Sequence, residues 1–303
     1  MRIDIQIWCF AVVCSLTLEL SAATNNLVFI DNGQVRLGVK TTSGAGIAWF
    51  SESGSSRNWL NHYDHGRLVQ QSYYGKKDGS LWGKEPWRWN PVQGGGYKGA
   101  PATLLELKPD RTSLYAKTRP RHWASEADLP DVTMEEWISL TGKVAHVRFK
   151  MSYTGQEQHP KTAQEIPAFF TEPDLTTLVV YDGEKPWRGA SVSRTQPGWP
   201  NEGRKIREHW AAYVDSDNFG IGAYVPVAKD ITCYRYAAGR TSQQGACSYF
   251  APIVYFAITP GFKFEYDLFM TLGTADEIRE SFRQIHLSQP ELEKAAEQTP
   301  KSK

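Results

Sequence analysis

Val144-Ala145-His146-Val147-Arg148-Phe149-Lys150-Met151-Ser152-Tyr153 decides the fold class. Val144, His146, Arg148 and Lys150 alternate with Ala145, Val147, Phe149 and Met151. A period of two fits a strand with one wet face and one buried face. Working outward, residues 133–140 read as a partner strand, joined through Thr141-Gly142-Lys143. Residues 27–30 and 35–39 flank Asp31-Asn32-Gly33, a hairpin turn signal. Residues 44–50 follow a Gly/Ser-rich turn, and 176–181, a β-branched and nearly continuous apolar run, predict a central strand. Residues 209–214, 220–225 and 231–236 predict a meander, and 251–258 and 262–272 are strands joined by Thr259-Pro260-Gly261. Helix is expected at Thr274-Ala275-Asp276-Glu277, a capping box that satisfies free N–H groups before Ile278 and Phe282.

Many strands and few helices predict an all-β fold, a large antiparallel β-sandwich with a short C-terminal helix. The ending is more specific. Residues 257–266, Ala-Ile-Thr-Pro-Gly-Phe-Lys-Phe-Glu-Tyr, followed by Leu272-Gly273-Thr274, resemble the last strands of the galactose-mutarotase-like supersandwich. The hairpins from Gly44-Ala45-Gly46 to Asn61 resemble its opening. The resemblance implies a carbohydrate-active protein, because that fold includes sugar epimerases and domains of polysaccharide lyases and glycoside hydrolases. Its epimerases use a Glu base and His acids; no position here, Glu265 included, is matched to that Glu.

The chain has 303 residues and a formal net charge of +1. No global field favours nucleic acid or anionic membranes, and no basic run interleaves with aromatics as nucleic-acid binding needs. A local cationic groove for a polyanionic sugar stays open. Residues 1–23 read as a signal peptide: Arg2, an apolar stretch over 5–18 too short to span a membrane, and Ser21-Ala22-Ala23. Residues 24–288 are then a catalytic sandwich domain, 289–303 a polar tail, and the protein secreted or periplasmic. Export favours a disulfide between Cys233 and Cys247, which remain after removal of Cys9 and Cys14; the alternative is two buried thiols.

The chain holds 11 Trp, 14 Tyr and 13 Phe. Such rings fill β cores or stack on sugar faces. The densest polar cluster runs from His62 through Asp64, His65, Arg67, Gln70 and Gln71 to Tyr73 and Tyr74. A strand there places Arg67, Val69, Gln71 and Tyr73 on one face and Leu68, Gln70, Ser72 and Tyr74 on the other. The Arg67 face is expected to line a cleft opposite Glu165 and Glu208; the Gln70 face is the alternative, and a buried polar network the other reading of the whole stretch.

Trp87, Trp89, Asn90 and Gln93, beside a run of glycines, fit a sugar platform or a packed surface turn. Glu165 lies among apolar residues, which raises a carboxyl pKa and suits a general acid, or it is a paired carboxylate. Glu202 in a Gly/Pro loop, His209, Trp210 and His122 complete the candidates for substrate binding. Residues 75–99, 119–131 and 181–207, rich in Trp, Arg and Pro, are expected to be ordered cleft walls. No zinc spacing, calcium loop, phosphate loop or serine-hydrolase elbow is present, so no metal or cofactor is expected.

Three functions follow for a polysaccharide or oligosaccharide partner. Hydrolysis needs two carboxyls, drawn from Asp64, Glu165, Glu202 and Glu208, and stands first because loop carboxylates are plentiful. Elimination at a uronate needs a Tyr or His base, such as Tyr73 or His65, with Arg and Gln to neutralise the carboxylate. The third is a non-catalytic sugar-binding or epimerising module. Oligomeric state is not read from the sequence.

Overall fold

The computed structural model describes residues 26–293; the leader expected over 1–23 and the tail beyond residue 293 lie outside the described residues. Chain order begins with β1 (Leu27–Asp31), β2 (Val35–Lys40), β3 (Gly46–Glu52) and β4 (Gln70–Ser72). Short pieces follow: β5 (Lys77–Trp82), β6 (Glu85–Arg88) and β7 (Pro91–Val92), then β8 (Thr103–Pro109), β9 (Ser113–Arg119) and β10 (Arg121–His122). The hairpin β11 (Val132–Thr141) and β12 (Val144–Tyr153) leads to β13 (His159–Thr171) and β14 (Thr177–Val180). The remainder holds β15 (Ser193–Thr195), β16 (Glu202–Lys205), β17 (Trp210–Val214), β18 (Phe219–Tyr224) and β19 (Asp230–Tyr236). It closes with β20 (Cys247–Ile258), β21 (Lys263–Thr274) and the helix α1 (Ala275–Ser288).

Two antiparallel sheets carry the fold. One orders nine strands β15-β14-β17-β18-β21-β12-β11-β9-β8, the other seven strands β10-β7-β4-β13-β20-β19-β16. Ala145, Val147, Phe149 and Met151 of β12 are fully buried, as the period of two requires. They share one apolar core with Phe169 and Phe250 of the seven-stranded sheet. The result is the β-sandwich with a C-terminal helix that the sequence predicts. β1, β2 and β3 form a separate small sheet. Their first turn forms because the Asp31 carboxylate accepts the Gly33 N–H at 2.8 Å and Gly33 takes φ +85°.

The capping box is present at Thr274: its hydroxyl accepts the Glu277 N–H, and the Glu277 carboxylate accepts the Thr274 N–H at 2.8 Å. Ile278 and Phe282 then pack against the nine-stranded sheet. Gly222 permits that approach, since a Cβ there would stand 2.4 Å from Ile278 Cγ2.

Three expectations are corrected. The 176–181 run is β14, second from the sheet edge rather than central. Its apolar residues are continuous because Leu178 and Val180 enter the main core while Val179 packs under α1. The meander is broken after β18: β19 crosses to the other sheet, between β16 and β20. Cys233 and Cys247 are free and buried, not a disulfide. Cys233 pairs with Phe250 and Cys247 with Tyr236, an offset of three residues. That offset separates them by roughly 10 Å along the strands and puts them on opposite faces, beyond disulfide reach.

Candidate active site

The cleft lies on the face of the seven-stranded sheet turned away from the core. Along β4 and the residues flanking it, Val69, Gln71 and Tyr73 point into the interior, so Gln70, Ser72 and Tyr74 form the cleft side. The expected Arg67 face is therefore corrected in register: the Gln70 face lines the cleft, and Arg67 reaches it from the preceding turn. The exchange follows from Val69 and Tyr73, whose apolar bodies join the core. On β13 the ladder slips between Glu165 and Ala168. That bulge lets Glu165, Ala168 and Phe170 face the cleft while Ile166 and Phe169 stay in the core.

Glu165 is half-buried on the cleft floor, and its Oε2 accepts the Tyr74 hydroxyl at 2.8 Å. Burial raises its carboxyl above the usual range; the hydroxyls of Tyr74 and Tyr249 and the charge of Arg88 oppose that without reversing it. Burial, then the Glu165 charge, push the Tyr74 and Tyr249 phenols far above their ordinary values. Both phenols therefore stay protonated at any physiological pH. The cleft floor thus carries one carboxyl and two protonated hydroxyls beside it.

Tryptophans wall the cleft. Trp82 and Trp87 come from the β5–β6 ribbon, with ring centroids 4.8 Å apart, and Trp123 stands 6.1 Å from Trp82. Trp199, 57% exposed, closes the opposite wall against Tyr234 at 4.9 Å. The space between holds about 250 Å³ and continues past Tyr74, Trp87 and Glu165 into an open groove of about 710 Å³. The long irregular regions do form walls: Trp82 and Trp87 lie in 75–99, Trp123 in 119–131 and Trp199 in 181–207.

Asp64 and Arg67 also line the cleft, joined to each other. Asp64 accepts the N–H groups of Gly66 and Arg67 at 2.9 and 2.8 Å, so its carboxylate closes a turn as well. Gln70 borders the cleft, but its amide is spent on His65 O, Gly66 O and the Gly94 N–H. Asn90 accepts the Trp87 indole N–H at 3.2 Å and fixes that ring.

The remaining sequence candidates stand elsewhere. His62 faces a separate surface hollow with Arg57 and Asp174. His65 contacts Ser43 Oγ at 2.8 Å and Gly99 O at 3.0 Å, leaving neither ring nitrogen free. Gln71, Tyr73 and Gln93 belong to a buried network; Tyr73 donates to Gln71 Oε1 at 3.0 Å, and Gln93 to Glu136 Oε2 at 3.0 Å. Trp89 stacks on His159 at 3.9 Å inside the core. His122 holds Asp78 at 2.6 Å and so anchors the β5–β6 ribbon. Glu202 accepts the Gly198 N–H at 2.8 Å and pairs with Arg204, supporting the Trp199 loop.

Glu208, His209 and Trp210 are not in the cleft but beneath α1. Glu208 is fully buried and takes Arg279 in a two-pronged pair at 2.6 and 2.9 Å, with the Trp210 indole N–H at 2.9 Å. His209 lies 4.0 Å from Glu293, and Trp210 packs near Phe282. Alternation misled there: with the sheet backed by a helix, both faces of β17 are inside. The residues assigned a role from sequence did not include Trp82, Trp123, Arg88 and Tyr249. The first three lie in the loops expected to form walls. Tyr249 carries no local signal, because only the sheet order brings β20 beside β13. Among the described residues, no group of three His, Cys, Asp or Glu side chains converges on a metal position. No helix of the described residues is long and apolar enough to cross a membrane.

No protein family and no curated protein matches the sequence. Solved structures do match the fold. A galactose mutarotase-like protein from Lactobacillus casei superposes with a TM-score of 0.55 at 10% identity, over 82% of this chain and 100% of that one. A protein assigned to the aldose 1-epimerases from Escherichia coli K12 gives 0.51 at 13% identity, over 82% and 99%. A galactose mutarotase related enzyme from Lactobacillus acidophilus gives 0.50 at 11%, over 82% and 97%. The fold is that of the galactose mutarotase-like proteins.

Proposed function

We propose that the chain is a carbohydrate-active protein that holds a sugar between the cleft tryptophans and moves protons at its anomeric centre, an epimerising reaction. The observation that carries this reading is Glu165: a carboxyl on the floor of an aromatic cleft, raised by burial, bonded to Tyr74 and, unlike Asp64, in no ion pair among the described residues. The ionised Glu165 takes the proton of the anomeric hydroxyl as the C1–O5 bond breaks. Tyr74 or Tyr249 gives a proton to the ring oxygen. Rotation about C1–C2 and reversal of both transfers close the other anomer and restore both groups.

The resemblance implies histidine acids, yet His62, His65 and His122 all lie outside this cleft. Tyrosine takes that part here. Elimination is less well supported, because it needs a deprotonated Tyr or a His base and the cleft phenols hold their protons. Glycoside hydrolysis has one observation in its favour: Asp64 and Glu165 share the cleft. Asp64, however, is engaged by Arg67 and two backbone N–H groups.

The test is nuclear magnetic resonance on reducing mono- and oligosaccharides with the protein added. Accelerated exchange between α and β anomeric signals is expected. New reducing ends without exchange would favour hydrolysis, and an unsaturated uronate would favour elimination. Binding without any reaction would reduce the chain to a sugar-binding module.

A further inference from the structure

Beyond Glu165 the cleft opens into a groove whose chemistry differs from the tryptophan pocket. Arg88 stands at the seam between the two, its guanidinium 5.6 Å from the Tyr74 ring and 5.9 Å from the Trp87 ring. Among the described residues it makes no ion pair and no side-chain hydrogen bond. A half-buried guanidinium with five N–H donors unspent gains only modestly from two ring faces. Arg204 lines the same groove. Its Nη2 pairs with Glu202 and its Nη1 donates to Gly203 O at 3.4 Å, while its buried Nε has no partner among the described residues. Lys205 and Asp230, 2.6 Å apart, neutralise each other at the groove wall. Tyr255, 59% exposed, offers an open ring on the floor.

We infer that this half of the groove binds an acidic sugar unit, its carboxylate or sulfate held by Arg88 and Arg204 and its ring laid on Tyr255. The assignment rests on the carbohydrate reading of the cleft and adds the substrate class: an oligosaccharide whose reacting unit sits among the tryptophans and whose neighbour is anionic. Guanidinium forks suit this task, because they meet two oxyanion oxygens at once and are less strongly hydrated than an ammonium. The near-neutral chain supplies no general attraction for polyanions. Selectivity for the acid must therefore come from these two side chains.

The experiment is calorimetric titration of the full chain with three probes: an oligouronate, a sulfated oligosaccharide and an uncharged oligosaccharide of equal length. Both acidic probes, or the one whose anion fits, should bind about ten-fold or more tightly than the neutral probe, with affinity falling as salt rises. Arg88→Ala and Arg204→Ala should each remove most of that preference, read as the ratio of acidic to neutral affinity within each variant. Arg88→Lys, which keeps charge and fold but not the fork, should fall between. Which acidic probe prefers the wild type separates carboxylate from sulfate. Equal binding of acidic and neutral probes, or acidic binding indifferent to Arg204→Ala and Arg88→Lys, would overturn the inference and leave the carbohydrate reading standing. Binding of none of the probes would overturn both.

Discussion

Glu165 and Glu136 are two carboxyls in similar trouble and with different uses. Glu136 is fully buried in the sandwich, bonded through one oxygen to Gln93 Nε2 and with no partner for the other, and burial pushes it up to about 8. Nothing from solvent reaches it. Its proton is bound more tightly in the fold than in the unfolded chain, where it titrates near 4.5. Its contribution to stability is then full below about 4.5 and is lost as pH rises toward 8. Thermal unfolding of Glu136→Gln should accordingly lose less stability than wild type between those limits, and a parallel fall in the two proteins would refute that origin.

Glu165 carries the same burden beside an open cleft, where the proposed sugar hydroxyl would meet it. As a base it must be ionised, so turnover should fall as pH drops through a value above the ordinary glutamate range. A rate profile flat to well below that range would exclude it as the base. At this scale the sequence was half legible. The apolar neighbours of Glu165 announced its raised pKa, whereas the partners of His65 and Gln70 are backbone groups that no local pattern discloses.

At the scale of elements, alternation named the faces of β12 correctly because one side of that strand is wet. It failed on β17, where α1 covers the back of the sheet and Glu208 lies in a dry layer rather than a cleft. Glu208 there depends on Arg279. Removing the cation leaves a buried carboxylate uncompensated, so Arg279→Ala should cost about 3–5 kcal/mol in denaturant unfolding. A cost under about 1 kcal/mol, the worth of an exposed pair, would contradict the burial argument. Register likewise decides the cysteines, since a three-residue offset on β19 and β20 keeps their sulfurs apart. Denaturation without reductant followed by alkylation should label both Cys233 and Cys247. Recovery of a peptide linked through them would refute the register.

For the whole molecule, the sandwich, the closing helix and the looped walls were readable because each rests on local patterns of period, capping and turn chemistry. The order of strands was not. That order joins β4 to β13 and β13 to β20, and it alone sets Tyr74 and Tyr249 about one carboxyl while leaving the histidines of 62–65 outside. The molecule thus makes a tryptophan-walled pocket with Glu165 on its floor and the Tyr74 and Tyr249 phenols beside it, the arrangement on which the proposed epimerising reaction rests. The measurement closest to that claim compares wild type with Glu165→Gln on a reducing oligosaccharide, recording affinity and anomeric exchange together. The account predicts that the amide keeps affinity within a few-fold while exchange falls by about 10²–10⁴. Exchange undiminished in Glu165→Gln, with the sugar still bound, would contradict it.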